Sequence, residues 1–143
     1  MKEHSYGIAP YIIENNKVKV LVNKTSKCSD WNFFKGKIEP GEKIIQCAHR
    51  EFYEEYGISL DAMDIVNANF YFQYSRHKNV GIFPVNFSKY IERKEKIDKK
   101  EIFDYEWLLL DNIVMSKNQR KIQNDMILYF NKLLYWNKQI KGI

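Results

Sequence analysis

Apolar and polar positions alternate along the first part of the chain in a way that predicts two strands joined by a turn. Residues 5–13 form an apolar run suited to a strand, and the polar segment 14–17 that follows has the composition of a turn. Valine then recurs at every second position, at Val18, Val20 and Val22, which is typical of a strand with one buried face. The two runs therefore predict a hairpin at the start of a sheet.

A helix is predicted between the turn at Pro40-Gly41 and Gly57. Apolar residues recur there at spacings of three and four, which places them on one helical face: Ile45, Ala48, Phe52 and Tyr56. Glu42 stands just before this pattern, and Gly57 is a natural helix stop because glycine readily adopts the left-handed conformation. Since the apolar stripe lies roughly 100° around the helix from an acidic face, one side can pack while another borders a cleft.

The second half of the chain predicts more strands and a terminal helix. The apolar runs 63–73 and 80–87 have the pattern of paired strands, and the highly charged segment 90–100 predicts a mobile connection. Residues 102–110 predict a further strand, although this run is also compatible with a buried helical turn, and 117–136 have the pattern of an amphipathic helix. This order of elements predicts an α/β sandwich or an α+β layer fold.

Composition indicates one soluble domain of ordinary type. The chain has 143 residues, 45% of them apolar, so we expect a single domain over residues 1–143 with a sizeable core. The net charge of +5 favours polyanionic partners such as nucleotides or RNA, with ordinary solvated lysines as the alternative explanation.

Cysteine usage and hydropathy indicate the compartment. Cys28 and Cys47 are too few for a disulfide scaffold or a structural zinc site, which indicates a reduced protein. The N-terminal segment lacks the apolar core of a signal peptide, and no segment has the length of a membrane span. We therefore expect a cytoplasmic protein without a membrane partner.

Three acidic residues crowd one face of the predicted helix: Glu51, Glu54 and Glu55. Like charges at spacings of three and four destabilise a helix by about 0.2–0.5 kcal/mol per pair, so a compensating charge is expected. A divalent cation such as Mg²⁺ supplies it, because this ion prefers oxygen ligands and often binds through carboxylates together with substrate phosphates. The alternative is a solvated acidic face with Arg50 and Glu54 as an ordinary ion pair.

Segment 36–58 resembles the Nudix box, G-x5-E-x7-R-E-U-x-E-E-x-G-U, where U is a bulky apolar residue. Seven fixed positions agree without a gap: Gly36, Glu42, Arg50, Glu51, Glu54, Glu55 and Gly57. Phe52 departs mildly from the pattern, since an aliphatic residue is more usual there. The resemblance implies the Nudix fold, an α/β/α sandwich with a mixed central sheet. It also implies metal-dependent hydrolysis of the pyrophosphate in a nucleoside diphosphate linked to another group.

The resemblance assigns expected roles to individual residues. The expected ligands of Mg²⁺, or of Mn²⁺ as a substitute, are Glu51, Glu54, Glu55 and the carbonyl of Gly36. Arg50 is expected to orient the carboxylates, with Glu42 either as its partner or as a cap of the helix. The expected catalytic acids are Glu51 and Glu54, and the general base is either a box glutamate or Glu101. Glu101 begins the segment EIFDYEWL, which resembles one in diadenosine tetraphosphate hydrolases whose leading glutamate lies near the metals.

The segment before the box bears on the substrate. WNFFKG, ending at Gly36, resembles the W-x-F-P-K-G entry of diadenosine tetraphosphate hydrolases and mRNA-decapping enzymes, with Phe34 in place of the proline. Lys35 within it is a candidate phosphate contact. Together with EIFDYEWL, it favours a dinucleoside polyphosphate such as diadenosine tetraphosphate. The alternatives are hydrolysis at an RNA 5′ end or cap, and a nucleotide-binding domain without turnover.

The aromatic segment FYFQY, residues 70–74, has two interpretations. It either belongs to the core of the sheet or supplies rings on which bases stack. Because successive side chains of a strand point to opposite faces, at most half of these rings line one side. The turn that follows carries Arg76, His77 and Lys78, which either attract substrate phosphates or form a solvated hairpin tip; Arg76 is the candidate contact.

Overall fold

The computed structural model describes residues 2–96 and 102–141 and shows a mixed sheet between helices. The six strands are β1 Glu3–Glu14, β2 Lys17–Lys24, β3 Phe34–Lys37, β4 Tyr71–Tyr74, β5 Lys78–Asn86 and β6 Asp104–Leu109. The helices are α1 Ile44–Tyr56, α2 Ala62–Val66 and α3 Arg120–Lys141. Short 3₁₀ turns span Ser88–Tyr90, Leu110–Asn112 and Lys117–Gln119.

The sheet is organised around its long first strand. Its order is β4-β5-β1-β2-β6, and β3 pairs with the first half of β1 where β2 pairs with the second half. The β1–β5 pair is parallel and the other pairs are antiparallel, so the sheet is mixed. β2 and β3 therefore pair with different halves of β1, and α1 packs against β1 and β3.

Two apolar clusters cover the two faces of the sheet. On one face, α1 packs Ala48, Phe52 and Tyr56 against Ile8 and Phe34. On the other face, α3 packs Ile122, Met126 and Phe130 in a cluster with the valines of β2, Val18, Val20 and Val22. These layers confirm the predicted α/β/α sandwich with a mixed central sheet. No helix in the described part of the chain is long and apolar enough to cross a membrane.

The helix α1 follows the predicted stripe, with a later start. Lys43 is the residue before the first turn, and its backbone N–H donates to Oε1 of Gln46 at 2.9 Å. Glu42 therefore does not cap this helix. At the other end Gly57 has a φ of 78°, which confirms it as the left-handed helix stop.

The predicted strand over 63–73 is wrong in its first part. Residues Ala62–Val66 form the short helix α2, and strand pairing begins only at Tyr71. Only Ile65 of this helix is buried, whereas the side chains of Met63 and Val66 are exposed, so the apolar run does not have the alternating burial of a strand.

The remaining elements follow the prediction with small shifts. Residues Asp104–Leu109 form a strand rather than a buried helical turn, and the terminal helix begins at Arg120 after a 3₁₀ turn. Within the charged connection, Tyr90 is fully buried. Residues 97–100 of that connection lie outside the described residues.

Candidate active site

Gly36 lets helix α1 bring a carboxylate against the backbone of β3. A Cβ atom built on Gly36 would lie 2.0 Å from Cδ of Glu51 and 2.1 Å from its Oε2. Any larger residue would therefore displace the Glu51 side chain. Because glycine has no Cβ atom, the Glu51 carboxylate can occupy that space. Gly36, the first residue of the 36–58 segment, therefore packs directly against Glu51, the first glutamate of α1.

Arg50 is the centre of a network of charge-assisted hydrogen bonds. Its Nε donates to Oε2 of Glu42 at 2.7 Å, and its Nη2 donates to Oε1 of the same residue at 2.9 Å. Its Nη1 donates to Oε1 of Glu51 at 2.7 Å and to Oε2 of Glu54 at 3.3 Å. The two hydrogen bonds from Arg50 to Glu42 form a bidentate pair, which confirms Glu42 as the partner of Arg50. Arg50 also supplies the positive charge that offsets repulsion among the glutamates of α1.

The ion pair changes the acidity of both partners. Hydrogen bonds from Arg50, followed by one from the backbone of Glu39, lower the pKa of Glu42 to about 2 despite partial burial. The same contacts raise the pKa of Arg50 above its ordinary value. Both groups are therefore charged at every pH at which the protein is expected to work, and the guanidinium keeps its orientation toward the α1 carboxylates.

The three glutamates of α1 differ in their surroundings. Glu55 is buried, the Glu51 side chain is 15% exposed and the Glu54 side chain is 56% exposed. Glu51 and Glu55 line a cavity of about 420 Å³ together with Lys35, Gly36, Asn32 and Ile102. We call this the box cavity. The predicted acidic face therefore divides into two carboxylates at the cavity and one that points toward solvent.

The donors at the box cavity suit a hard divalent cation in their chemistry. Carboxylate and carbonyl oxygens are the ligands that Mg²⁺ prefers. The Gly36 carbonyl accepts a hydrogen bond from Sγ of Cys47 at 3.5 Å, and Gly36 pairs with Tyr6 in the β1–β3 ladder. Burial raises the pKa of Cys47 to about 12, so this thiol keeps its proton.

The carboxylates are not gathered around one point. Arg50 holds Glu51 and Glu54 by hydrogen bonds, and within residues 2–96 and 102–141 no three His, Cys, Asp or Glu side chains are arranged to hold a metal ion. The donor chemistry at the box cavity fits a hard cation, while its binding requires these side chains to turn from their present partners. The assignment of Gly36, Glu51, Glu54 and Glu55 as ligands stays a prediction.

Lys35 lies inside the box cavity rather than on the open surface. Burial, followed by the positive charge of Lys78, lowers the pKa of Lys35 to about 8, and the nearby Glu55 carboxylate partly offsets this. A lysine in this environment is a suitable partner for phosphate oxygens, because an anion relieves the unfavourable burial of its charge.

Arg76 lies at a second cavity, not at the box cavity. This cavity has a volume of about 400 Å³ and is lined by residues of the β4–β5 turn and of the segment before α3: Gln73, Ser75, Arg76, His77, Ser116 and Lys117. We call it the hairpin cavity. No pattern in the sequence predicts that Arg76 and Lys117 lie together, because the packing of β4 beside α3 brings them to one cavity.

Asn32 of the box cavity and Ser116 of the hairpin cavity belong to one hydrogen-bonded group, which we call the shared polar wall. Oδ1 of Asn32 accepts hydrogen bonds from Oγ of Ser116 and Nε2 of Gln119, both at 2.8 Å. Oε1 of the fully buried Gln119 accepts from the backbone N–H of Phe33 at 2.7 Å. Sequence reasoning missed Asn32, Ser116 and Gln119, since nothing in a single sequence marks polar residues 84 to 87 positions apart as partners. Glu101, the other expected acid, lies outside the described residues.

Comparison with known proteins identifies the family. A family model described as the NUDIX domain matches residues 6–130. The mRNA decapping complex subunit 2 of Schizosaccharomyces pombe is 35% identical over 102 residues, which cover 70% of this chain and 14% of that protein. Nucleoside diphosphate-linked moiety X motif 6 of Mus musculus is 25% identical over 127 residues, covering 83% of this chain and 39% of that protein. The chain thus spans well under half the length of either relative.

Solved structures show the same fold. A Caenorhabditis elegans Ap4A hydrolase binary complex superposes with a TM-score of 0.66 at 19% identity, covering 91% of this chain and 98% of that chain. The NUDIX domain of Shewanella oneidensis NrtR complexed with ADP ribose has a TM-score of 0.63 at 14% identity, covering 90% and 89%. At such identities the likeness concerns the fold. The match over residues 6–130 includes the whole 36–58 segment, and the chain belongs to the NUDIX domain family.

Proposed function

We propose that this domain is a metal-dependent pyrophosphohydrolase that cleaves a nucleoside diphosphate linked to another group. The observation that carries the proposal is the close approach of Glu51 to Gly36, held beside Arg50 at the edge of the box cavity. Mg²⁺, or Mn²⁺ in its place, would be held by Gly36, Glu51, Glu54 and Glu55. When bound, the cation would neutralise negative charge on the phosphate oxygens and lower the pKa of a water molecule.

The residues of the chain supply orientation and charge around that cation. Arg50 fixes the direction of Glu51 and Glu54 through hydrogen bonds, and Glu42 fixes Arg50 in turn. Lys35 faces the box cavity as a cation for the phosphate oxygens. We assign proton removal from the attacking water to Glu54, with Glu101, which lies outside the 36–58 segment, as the alternative general base. The exposed position of Glu54 leaves it open to solvent.

We assign a dinucleoside polyphosphate, with diadenosine tetraphosphate as the representative, as the first substrate class. The box cavity and the hairpin cavity have similar volumes, and a hydrogen bond joins Asn32 of the first to Ser116 of the second, which suits a substrate with two ends. Lys35 in one cavity and Arg76 in the other provide cations for the phosphates between those ends. Both cysteines are free thiols, which suits an enzyme of the reducing cytoplasm.

An RNA 5′ end is the second substrate class. It is supported by the identity of 35% over 102 residues with the decapping complex subunit of Schizosaccharomyces pombe. The same box cavity would receive the terminal phosphates, and the basic hairpin turn would lie along the following nucleotide. This class differs from the first in that the substrate continues beyond the two cavities.

A substrate panel tests the proposal. Purified protein with Mg²⁺ is incubated with diadenosine tetraphosphate, 5′-triphosphorylated RNA, capped RNA and ADP-ribose, and products are separated by ion-exchange chromatography. We expect release of ATP from diadenosine tetraphosphate and a decrease of at least about a hundredfold for Glu54→Gln, the size of a lost catalytic proton transfer. Glu14→Gln is the matched control, because Glu14 is similarly exposed and lies at the far end of β1.

The outcomes separate the alternatives. Faster turnover of an RNA than of diadenosine tetraphosphate would favour the second substrate class. Tight binding of one compound with no cleavage of any would favour a nucleotide-binding domain without turnover. Equal activity of Glu54→Gln and Glu14→Gln would remove Glu54 from the catalytic residues.

A further inference from the structure

Three aromatic residues at the sheet edge form a surface that the catalytic site does not use. Phe70, Phe72 and Tyr74 lie on the α1 face of the sheet and are 37%, 44% and 61% exposed. We call them the aromatic strip. Tyr71, between them, lies on the α3 face and contacts the ring of Tyr129, with 6.5 Å between centroids. The prediction that at most half of the 70–74 rings line one face is wrong, since three of the four rings share a face and Gln73 takes the second position on the opposite face. The core interpretation is also wrong for the exposed rings.

The rings of the aromatic strip are held in an ordered row. Phe72 and Tyr74 stack with centroids 4.8 Å apart and an interplanar angle of 24°, and Phe70 lies 6.2 Å from Phe72. Phe70 is anchored on Phe83 at 4.8 Å and lies over Gly81, where a Cβ atom would approach its Cζ to 2.3 Å. Gly81 thus makes room for the ring that positions the other two. The outer pair leaves aromatic surface open to a flat ligand.

Cations flank the aromatic strip along the unpaired edge of β4. Nζ of Lys121, on α3, lies 5.4 Å from the ring centroid of Phe72 and donates to the Phe72 carbonyl at 3.4 Å. Lys121 also pairs with Asp125 at 2.8 Å, so its charge is partly balanced. Arg76 follows two residues after Tyr74 in the turn and lines the hairpin cavity. Arg76 at the hairpin cavity and Lys121 at Phe72 are therefore the cations that flank the aromatic strip.

We propose that the aromatic strip stacks unpaired bases of a single-stranded RNA whose 5′ end lies in the box cavity. The inference rests on the proposed function and concerns its second substrate class, an RNA 5′ end. Exposed rings beside cations are the chemistry that binds single-stranded nucleic acid, because every base has a π face and every linkage a negative charge. A second copy of this chain fits the edge less well, since Nζ of Lys121 already donates to the Phe72 carbonyl of β4.

A binding measurement tests the proposal without turnover. A short single-stranded oligoribonucleotide with a 5′-monophosphate and a 3′-fluorescein is titrated with protein, and binding is followed by fluorescence anisotropy. We expect Phe72→Ala and Tyr74→Ala each to weaken binding about tenfold, the typical effect of one lost stacking ring, and Tyr74→Trp to retain it. Tyr135→Ala is the matched control, because Tyr135 is 59% exposed but lies far along α3, and it should bind as the wild type does.

Several results would overturn the inference. One is equal affinity of Phe72→Ala, Tyr74→Ala and Tyr135→Ala for the RNA. Another is equal affinity of the wild type for the same RNA annealed into a duplex, whose bases are not free to stack. A third is a dimer in light scattering that dissociates in the Tyr74→Ala variant, which would assign the strip to a protein contact. Thermal unfolding of each variant excludes loss of fold as the cause.

Hydrolysis of diadenosine tetraphosphate by the same preparations separates this inference from the proposed function. A wild-type protein that cleaves the dinucleotide but binds RNA independently of the aromatic strip overturns only the RNA inference. A protein that binds RNA through the strip but cleaves no member of the substrate panel overturns only the proposed reaction.

Discussion

Gly36 is the residue at which the backbone of the sheet meets the acidic helix. Its role is steric rather than conformational, because the space of its missing side chain is filled by the carboxylate of Glu51. A sequence pattern identifies the glycine, but the reason for it appears only when β3 and α1 are packed together. The general point is that a motif fixes residue types, and the packing shows which atoms require them.

Gly36→Ala should impair activity more than stability. The added methyl group would displace Glu51, so we expect kcat/KM to fall by about a hundredfold, the cost of a misplacement near 1 Å. Overpacking should also lower the free energy of unfolding by about 1–3 kcal/mol. Gly41→Ala is the control: its Cβ meets nothing within 4 Å, but its φ of 79° imposes strain. Comparable activity of the two variants would contradict this role.

Because of Glu42, the free energy of unfolding should decrease as the pH falls below about 4.5. The pKa of Glu42 is lowered from 4.5 to about 2 in the folded state, so its contribution is complete above about pH 4.5 and is lost as the pH falls through 2. We expect Glu42→Gln to lower the free energy of unfolding by about 2 kcal/mol at pH 7, with the difference from wild type narrowing toward pH 2. Urea unfolding at several pH values measures this.

Glu39→Gln is the control for that experiment. Glu39 lies 3.8 Å from Arg50 and its side chain is 65% exposed, so its loss should change the free energy of unfolding by less than about 0.5 kcal/mol. A Glu42→Gln deficit that stayed constant from pH 7 to pH 2 would show that the ion pair is not its source.

Among the elements, predictability followed the strength of the local pattern. The helix α1 was predicted from its stripe and from Gly57, and the hairpin β1–β2 from alternating valines, because both patterns extend over several residues. The helix α2 was missed, since its single buried residue, Ile65, gives no periodicity. Tyr90 stabilises this region from a distant turn: its hydroxyl accepts from the backbone N–H of Asp61 at 2.9 Å and donates to Asp64.

The 3₁₀ turn before α3 is tied to the site by Gln119. In Gln119→Leu, the backbone N–H of Phe33 would lose its acceptor, and Asn32 would lose one of two donors. We expect a decrease of about 2 kcal/mol in the free energy of unfolding, since buried polar groups without partners cost about 1–3 kcal/mol each. A double-mutant cycle with Asn32→Ala should show coupling of at least about 0.5 kcal/mol. Additive effects would contradict the shared polar wall.

At the scale of the whole molecule, the sheet brings the 36–58 segment, the box cavity and the hairpin cavity close together. Element order left an α/β sandwich or an α+β layer fold, and the resemblance of segment 36–58 to the Nudix box implied the first. The same motif predicted the pairing of Glu42 with Arg50. The hairpin cavity and the aromatic strip were not predicted, because they depend on which distant segments meet at the β4 edge. Long-range neighbours of this kind are set by tertiary packing, which a single sequence does not display.

Binding of Mn²⁺ tests the central claim most directly, namely that the acidic face of α1 and Gly36 hold a divalent cation. The free-ion signal in electron paramagnetic resonance is recorded while Mn²⁺ is added to wild type and to the variant carrying Glu51→Gln, Glu54→Gln and Glu55→Gln. We expect the wild type to remove Mn²⁺ from solution and the triple variant, if folded by circular dichroism, to bind at least about tenfold more weakly. Equal binding by the two folded proteins would contradict the account.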